Sequence, residues 1–163
     1  MSIAERYLPE LDAEAASTRR LLERVPMDRL DWKPHPKSRS LGELATHVTE
    51  TMRWGIRLSA PSFQVGSEKA PALRTTPDLL ARFDQNVAES RAAIASRSDD
   101  DMAEEFPVLK PDGSIFFQLP RKAAVRRLLL NHLIHHRGQL TVYLRLNDVP
   151  LPAVYGPTAD ESI

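Results

Sequence analysis

The segment from Pro120 to about Asn147 constrains the fold most, because it can form one long helix. Apolar residues recur through it at helical spacing, and Pro150 and Pro152 end the pattern. A helix of this length must bury its apolar stripe against partner surfaces. Three further helices are expected, over residues 3–25, 40–59 and 77–96. Four long helices with substantial connections predict an all-α four-helix bundle with long crossover connections.

Local signals mark the beginnings of these helices. Ser40 and Glu43 have the spacing of a capping box, in which each side chain pairs with the other residue's backbone N–H. Thr76 and Pro77 predict a cap followed by proline in the first turn. Pro9 predicts a late start or a kink in the first helix.

The connections show little periodicity. Residues 26–39 carry three prolines and are expected to form a long ordered loop, anchored to the core by Trp32. In residues 106–119, the sequence Lys110-Pro111-Asp112-Gly113 lies between short apolar runs, which predicts a small β-hairpin before the last helix. The acidic residues 99–101 are expected to form a solvated turn.

Composition narrows the class of protein. The 163 residues are expected to form a single domain, residues 1–163. The formal net charge is zero, so no basic excess favours nucleic acid as a partner. Cysteine is absent, so a metal ion must be held by nitrogen and oxygen. No apolar run reaches the roughly 18 residues of a membrane span, and the N-terminus does not resemble a signal peptide, which predicts a cytoplasmic protein without membrane contact.

Three of the five histidines fall within five residues of the last predicted helix. His132 and His136 lie about 40° apart on one face, and His135 projects about 60° to the other side of His132. The face of His132 and His136 also carries apolar residues, so both rings are expected to point into the bundle: Val125, Leu128, Leu129 and Tyr143.

Two interpretations of this pair stay open. One histidine could be a core residue bonded to a carbonyl while the other lines a polar pocket. Alternatively, both could bind one metal ion, since an i, i+4 pair presents two imidazoles at ligand spacing. A third ligand would have to come from another helix, and His47 is the only histidine elsewhere on a predicted helix. His35 lies in the proline-rich loop and is expected to be exposed.

Three histidine ligands would leave coordination positions for water or substrate, which is the pattern of a catalytic site. Gln139, Asn131 and His135 are candidates for contacts behind the ligands. Arg137 projects away from the His132 face and is expected at the surface or at a partner chain.

Several motifs together resemble the DinB/YfiT-like superfamily. They are WKPHPKS at residues 32–38, SLGELATH at 40–47, HLIHHRGQL at 132–140, YLR at 143–145 and VPLPAVYGPTADE at 149–161. The resemblance implies a four-helix bundle, often homodimeric, with a metal held by one histidine of the second helix and an H-x-x-x-H pair of the last.

The resemblance maps these ligands onto His47, His132 and His136. It implies nickel, zinc or iron as the ion, and imidazole suits each of them. Characterised relatives include metal-dependent transferases and isomerases that use small thiols such as bacillithiol or mycothiol.

Two functions compete. The first is a metal-dependent transferase or hydrolase that activates a small thiol or a water, with no further catalytic residue assigned. The second is a non-catalytic dimeric helical bundle in which the metal is structural. A carboxylate-bridged di-iron bundle is disfavoured, because the E-x-x-H pairs of such sites are missing from these helices.

Overall fold

A computed structural model describes residues 1–162 of the chain. The helices are α1 (Ile3–Leu22), α2 (Leu41–Thr51), α3 (Trp54–Arg57), α4 (Thr76–Ala95), α5 (Asp99–Ala103), α6 (Arg121–Ala124) and α7 (Asn131–Leu146). A π-helical segment, Val125–Leu130, joins α6 to α7, and a 3-10 turn covers Met27–Arg29. The strands are β1 (Phe63–Gln64), β2 (Glu105–Leu109) and β3 (Ile115–Pro120). The fold is therefore mostly helical with one small sheet.

Four helices surround the core. α4 packs against α1 and α2, and α7 packs against the same two helices on the other side. The order around the core is thus α1, α4, α2, α7. Apolar side chains from all four helices fill the space between them, including Leu11, Leu21, Leu44, Val48, Phe83, Ile94, Leu133 and Leu140.

α2 begins as predicted but ends early. The Ser40 hydroxyl accepts from the Glu43 N–H at 3.2 Å, and the Glu43 carboxylate accepts from the Ser40 N–H at 2.6 Å. The helix stops at Thr51 rather than near residue 59, and α3 follows as a separate turn. Ser90 of α4 donates to the Met52 carbonyl at this break. A Cβ on Gly55 would lie 2.5 Å from the Ser90 Cβ, so glycine permits the close approach of α4.

Other helix ends differ slightly from the sequence predictions. α1 begins at Ile3 behind a Ser2 cap, so Pro9 lies inside the helix and the late start is wrong. The cap of α4 is the residue before the predicted one, because Thr75 accepts from the Asp78 N–H at 3.2 Å. The acidic residues 99–101 lie in α5 rather than in a simple turn.

The predicted hairpin is confirmed, and β1 extends it into a sheet. β2 pairs antiparallel with β3 through residues 105–109 and 115–120, and Gly113 adopts φ +84° in the connection. β1 pairs in parallel with β2, with Phe63 opposite Val108. The sequence did not predict β1, since two residues are too few for a strand pattern. β3 ends where α6 begins, and Arg127 of the π-helical segment lies over the Phe117 ring of β3, so the sheet lies beside this segment.

Two other expectations concern the loop and the membrane. Trp32 packs partly buried against the core and meets the Tyr143 ring edge-on at 5.6 Å, which confirms its anchoring role. Within residues 1–162, no helix combines the length and the apolar character needed to cross a membrane.

Candidate metal centre

Two helices bring three histidines together. His47 lies on α2, and His132 and His136 lie one turn apart on α7. The Nε2 atom of His47 is 2.9 Å from Nε2 of His136 and 3.4 Å from Nε2 of His132. One ligand atom from each ring lies within 4.8 Å of the others, so within residues 1–162 these side chains form a group that could hold a metal ion.

The outer nitrogens of the two α7 histidines face hydrogen-bond acceptors. His136 Nδ1 lies 2.7 Å from Oε1 of Gln139, and His132 Nδ1 lies 3.3 Å from the Leu128 carbonyl. Because both partners are acceptors, Nδ1 of each ring carries the proton and Nε2 keeps a free lone pair. An Nε2–H on His47 could donate to one of these lone pairs but would leave the other without a partner. A shared cation satisfies all three.

The electrostatic surroundings keep the rings neutral. Burial lowers the pKa of His47 to about 3, and the positive charge of Arg39 adds to this effect. Burial also lowers the pKa of His132 to about 4 and shifts the pKa of His136 downward. Protons therefore do not compete for the nitrogen lone pairs near neutral pH.

The donor set fits a divalent metal ion. Zn–N bonds of about 2.05 Å place two ligand nitrogens about 2.9 Å apart at a right angle and about 3.3 Å apart at the tetrahedral angle. The two Nε2 separations from His47 are 2.9 and 3.4 Å. The Gln139 and Leu128 acceptors are the kind of contact that orients histidine ligands from behind.

The π-helical segment ends two residues before the first α7 histidine. Its last π-type hydrogen bond runs from the Asn131 N–H to the Arg126 carbonyl, one residue before His132. Such segments occur frequently at functional sites, because the extra residue shifts the face of the helix that follows. Here the two histidines therefore lie at the edge of the buried face of α7 rather than at its predicted centre. His136 is buried and His132 is half-buried.

The buried face of α7 follows from this shift. Leu133, Leu140 and Leu144 lie within about 40° of one another around the helix and are buried. Arg137 lies on this same face and is 2% exposed, so its predicted surface position is wrong. Its guanidinium pairs with the Glu14 carboxylate of α1 at 2.6 Å.

Two clefts border the histidine cluster on different sides. The Arg39 cleft, of about 430 Å³, is walled by His47, Arg39, Thr46 and the chain around Leu73. The Trp54 cleft, of about 500 Å³, contains His132 and His135 and is otherwise mainly apolar. Ligands could therefore approach the cluster from the α2 side and from the hairpin side.

Of the other residues that the sequence singled out, one contacts the cluster directly and the others are exposed. Gln139 contacts a histidine as predicted. His135 is exposed, with its ring 4.8 Å from the His136 ring, and Asn131 is exposed at the Trp54 cleft. His35 is exposed in the loop and lies outside the cluster, as expected.

Arg39 is the residue near the site that the sequence did not single out. Its charge acts on the cluster, and its carbonyl accepts from the Tyr143 hydroxyl at 3.2 Å. The only sequence signal for Arg39 was its position directly before the Ser40 cap, since a residue there lies next to the N-terminus of the helix that carries His47.

The fold and the site define a small helical protein with three histidines clustered between two packed helices. The family model of the DinB superfamily matches residues 10–140. The chain belongs to the DinB superfamily, as its motifs indicated.

Relatives and solved structures agree with this assignment. The chain is 24% identical over 161 residues to the uncharacterized protein YrdA of Bacillus subtilis, covering 96% of this chain and 90% of YrdA. A DinB-like protein from Bacillus cereus has a similar fold, with a TM-score of 0.74 at 22% identity, covering 93% of this chain and 97% of that one. The DinB-like protein YjoA of Bacillus subtilis gives a TM-score of 0.67 at 18% identity, covering 88% and 92%. These likenesses concern the fold.

Proposed function

We propose that His47, His132 and His136 bind one divalent metal ion through their Nε2 atoms. The observation that carries this proposal is the convergence of three neutral imidazoles, two of which have their outer nitrogens bonded to acceptors. Nickel, zinc and iron all accept imidazole ligands, so the proposal covers these three ions.

We further propose that the centre is catalytic and activates a small thiol or a water toward an electrophilic substrate. A divalent ion held there would supply Lewis acidity to a ligand at a coordination position that the histidines leave open. The two bordering clefts support this role, since each gives access to a histidine of the cluster.

The chain's own residues have defined tasks in this proposal. Gln139 and the Leu128 carbonyl hold the proton of each α7 imidazole on Nδ1 and fix the orientation of the ring. Arg39 places a positive charge at the cleft beside His47, and a neighbouring cation favours the thiolate form of an entering thiol.

The alternative is a non-catalytic homodimeric bundle with a structural metal. It is favoured by the origin of the ligands, because an ion shared by α2 and α7 would join two packed helices and add binding energy to folding. In both proposals the chain is one domain built on a four-helix bundle, supported by the cyclic packing of α1, α4, α2 and α7. The homodimer stays a prediction, which light scattering after size-exclusion chromatography can test.

Elemental analysis tests the metal proposal. Untagged protein is purified without added metal, and the His132→Ala/His136→Ala double variant is treated in the same way. The matched control is His35→Ala, which removes an exposed histidine outside the cluster. We expect near-stoichiometric metal in the parent and in the control, and none in the double variant. Absence of metal from the parent after incubation with nickel, zinc and iron would overturn the proposal.

Activity and stability then separate the two roles. A catalytic centre predicts thiol-transfer or hydrolytic turnover that disappears on chelation while the fold persists. A structural centre predicts no turnover and a large fall of the unfolding temperature on chelation.

A further inference from the structure

The Trp54 cleft lies between the sheet and the last helix. Val108 of β2 is buried at its base, and Trp54, Phe117 and Leu128 line it half-buried. Phe116 is 61% exposed at the rim. The volume of about 500 Å³ falls within the range of small-molecule sites. The lining is therefore a concave apolar surface with aromatic walls.

A single arginine lines this apolar surface. Arg127 lies 5.4 Å from the centroid of the Phe117 ring, with its guanidinium over the ring. Among the described residues, the other four arginines of residues 121–145 form ion pairs, and Arg127 is in none of these pairs: Arg121, Arg126, Arg137 and Arg145. Its positive charge is thus free to meet an anion at the cleft.

The cleft also reaches the candidate metal centre. The ring of His132 forms part of its wall, and its Nε2 belongs to the histidine cluster. A ligand that fills the cleft would therefore contact an apolar wall, the Arg127 guanidinium and a histidine of the cluster.

We propose that the Trp54 cleft binds a small carboxylic acid with an apolar body, whose carboxylate pairs with Arg127 and whose body lies against Trp54, Phe117 and Leu128. This inference rests on the proposed function, because it assigns the substrate class of that same centre. Charge complementarity selects this ligand. A guanidinium forms paired hydrogen bonds with a carboxylate, and the aromatic walls favour a flat or chain-like apolar body.

Tryptophan fluorescence tests the proposal. The chain has two tryptophans, so the Trp32→Phe variant reports on Trp54 alone. Phenylbutyrate is titrated as the acid, and phenylbutanol is titrated as its neutral analogue. We expect both to change the Trp54 emission, with the acid bound about tenfold more tightly because of the charge-assisted pair.

Neighbouring arginines supply a matched pair of variants. Arg127→Gln should remove about tenfold of the affinity for the acid and leave the alcohol unchanged. Arg126→Gln makes the same change one residue earlier, where the guanidinium pairs with Glu10 and lies over Tyr7, and it should alter neither ligand. Phe117→Ala should weaken both ligands.

The titrations are run on chelator-treated and on nickel-loaded protein, with metal content measured separately. Binding of the acid to chelated protein thus tests the cleft even if the metal proposal fails. Absence of binding in both forms would overturn the inference, and so would equal affinity for acid and alcohol. A dimer that buries the cleft and dissociates in the Phe116→Ser variant would overturn it in favour of a second copy of the chain.

Discussion

Replacing Arg137 by methionine tests how strongly a buried charge pair holds the last helix. Arg137 is 2% exposed, and its Nη1 lies 2.6 Å from the Glu14 carboxylate and 3.4 Å from the Thr18 hydroxyl. The guanidinium also lies 4.8 Å from the centroid of the Tyr155 ring, whose hydroxyl donates to Glu14 at 2.7 Å. Arg137→Met would leave the Glu14 carboxylate buried with the Tyr155 hydroxyl as its remaining side-chain partner.

The size of the effect follows from the cost of an uncompensated buried charge. Breaking a buried pair by removing one partner costs about 3 to 5 kcal/mol. The Tyr155 hydroxyl still donates to Glu14 in the variant and offsets part of this cost. We therefore expect Arg137→Met to lower the free energy of unfolding by about 3 to 4 kcal/mol.

Rescue by a second substitution gives the sharper test. The double variant Glu14→Gln/Arg137→Met should return to within about 1 kcal/mol of the parent, because it leaves no unpaired buried charge. Urea unfolding of the chelated parent and of both variants measures these differences. A single-variant defect below about 1 kcal/mol, or a double variant no more stable than Arg137→Met, would refute the reasoning.

Three further results are expected. Burial lowers the pKa of His47 to about 3 and that of His132 to about 4. Below pH 6.5 the unfolded chain therefore binds more protons at these residues than the folded, metal-free chain does. Urea titrations should therefore show a free energy of unfolding that falls between pH 6.5 and pH 4, by less than about 1.4 kcal/mol per pH unit for each half-buried ring. The fall should be smaller in His47→Ala than in the parent. Gln139→Leu should weaken metal binding about 10- to 100-fold in a competition titration with a chelator, and Gln139→Glu should retain it. Gly55→Ala should cost about 1 to 3 kcal/mol in thermal unfolding, since its Cβ would lie 2.5 Å from the Ser90 Cβ, whereas alanine at the open Gly138 should not destabilise.

Signals confined to a few neighbouring residues predicted the structure well. The Ser40 and Glu43 capping box depends only on spacing within one turn, and the structure contains both of its hydrogen bonds. The hairpin depends on turn residues between two short apolar runs, and its strands form at residues 105–109 and 115–120. The grouping of His47 with the α7 histidines required only that two amphipathic helices face each other.

Features that depend on distant contacts were not predictable. The end of α2 at Thr51 reflects Ser90 of α4, which donates to the Met52 carbonyl from 38 residues away. The π-helical segment carries no periodic signal, because the residues of VRRLLL suit an α-helix equally well. A face drawn through Val125 at 100° per residue therefore loses its phase before α7, which is why Arg137 is buried although the sequence predicts it at the surface.

Two adjacent residues of α7 serve the core and the site. Arg137 directly follows His136, and at about 100° per residue one points toward α1 while the other points toward α2. We expect the pair with Glu14 to fix the rotation of α7 about its own axis, since the leucines beside Arg137 would tolerate a small turn more easily than a buried charge would. A turn of α7 would separate His136 from His47 by moving only one of the two packed helices. We therefore expect loss of the buried ion pair, which lies on the face of α7 away from the histidines, to weaken the grouping of the three Nε2 atoms as well as the fold.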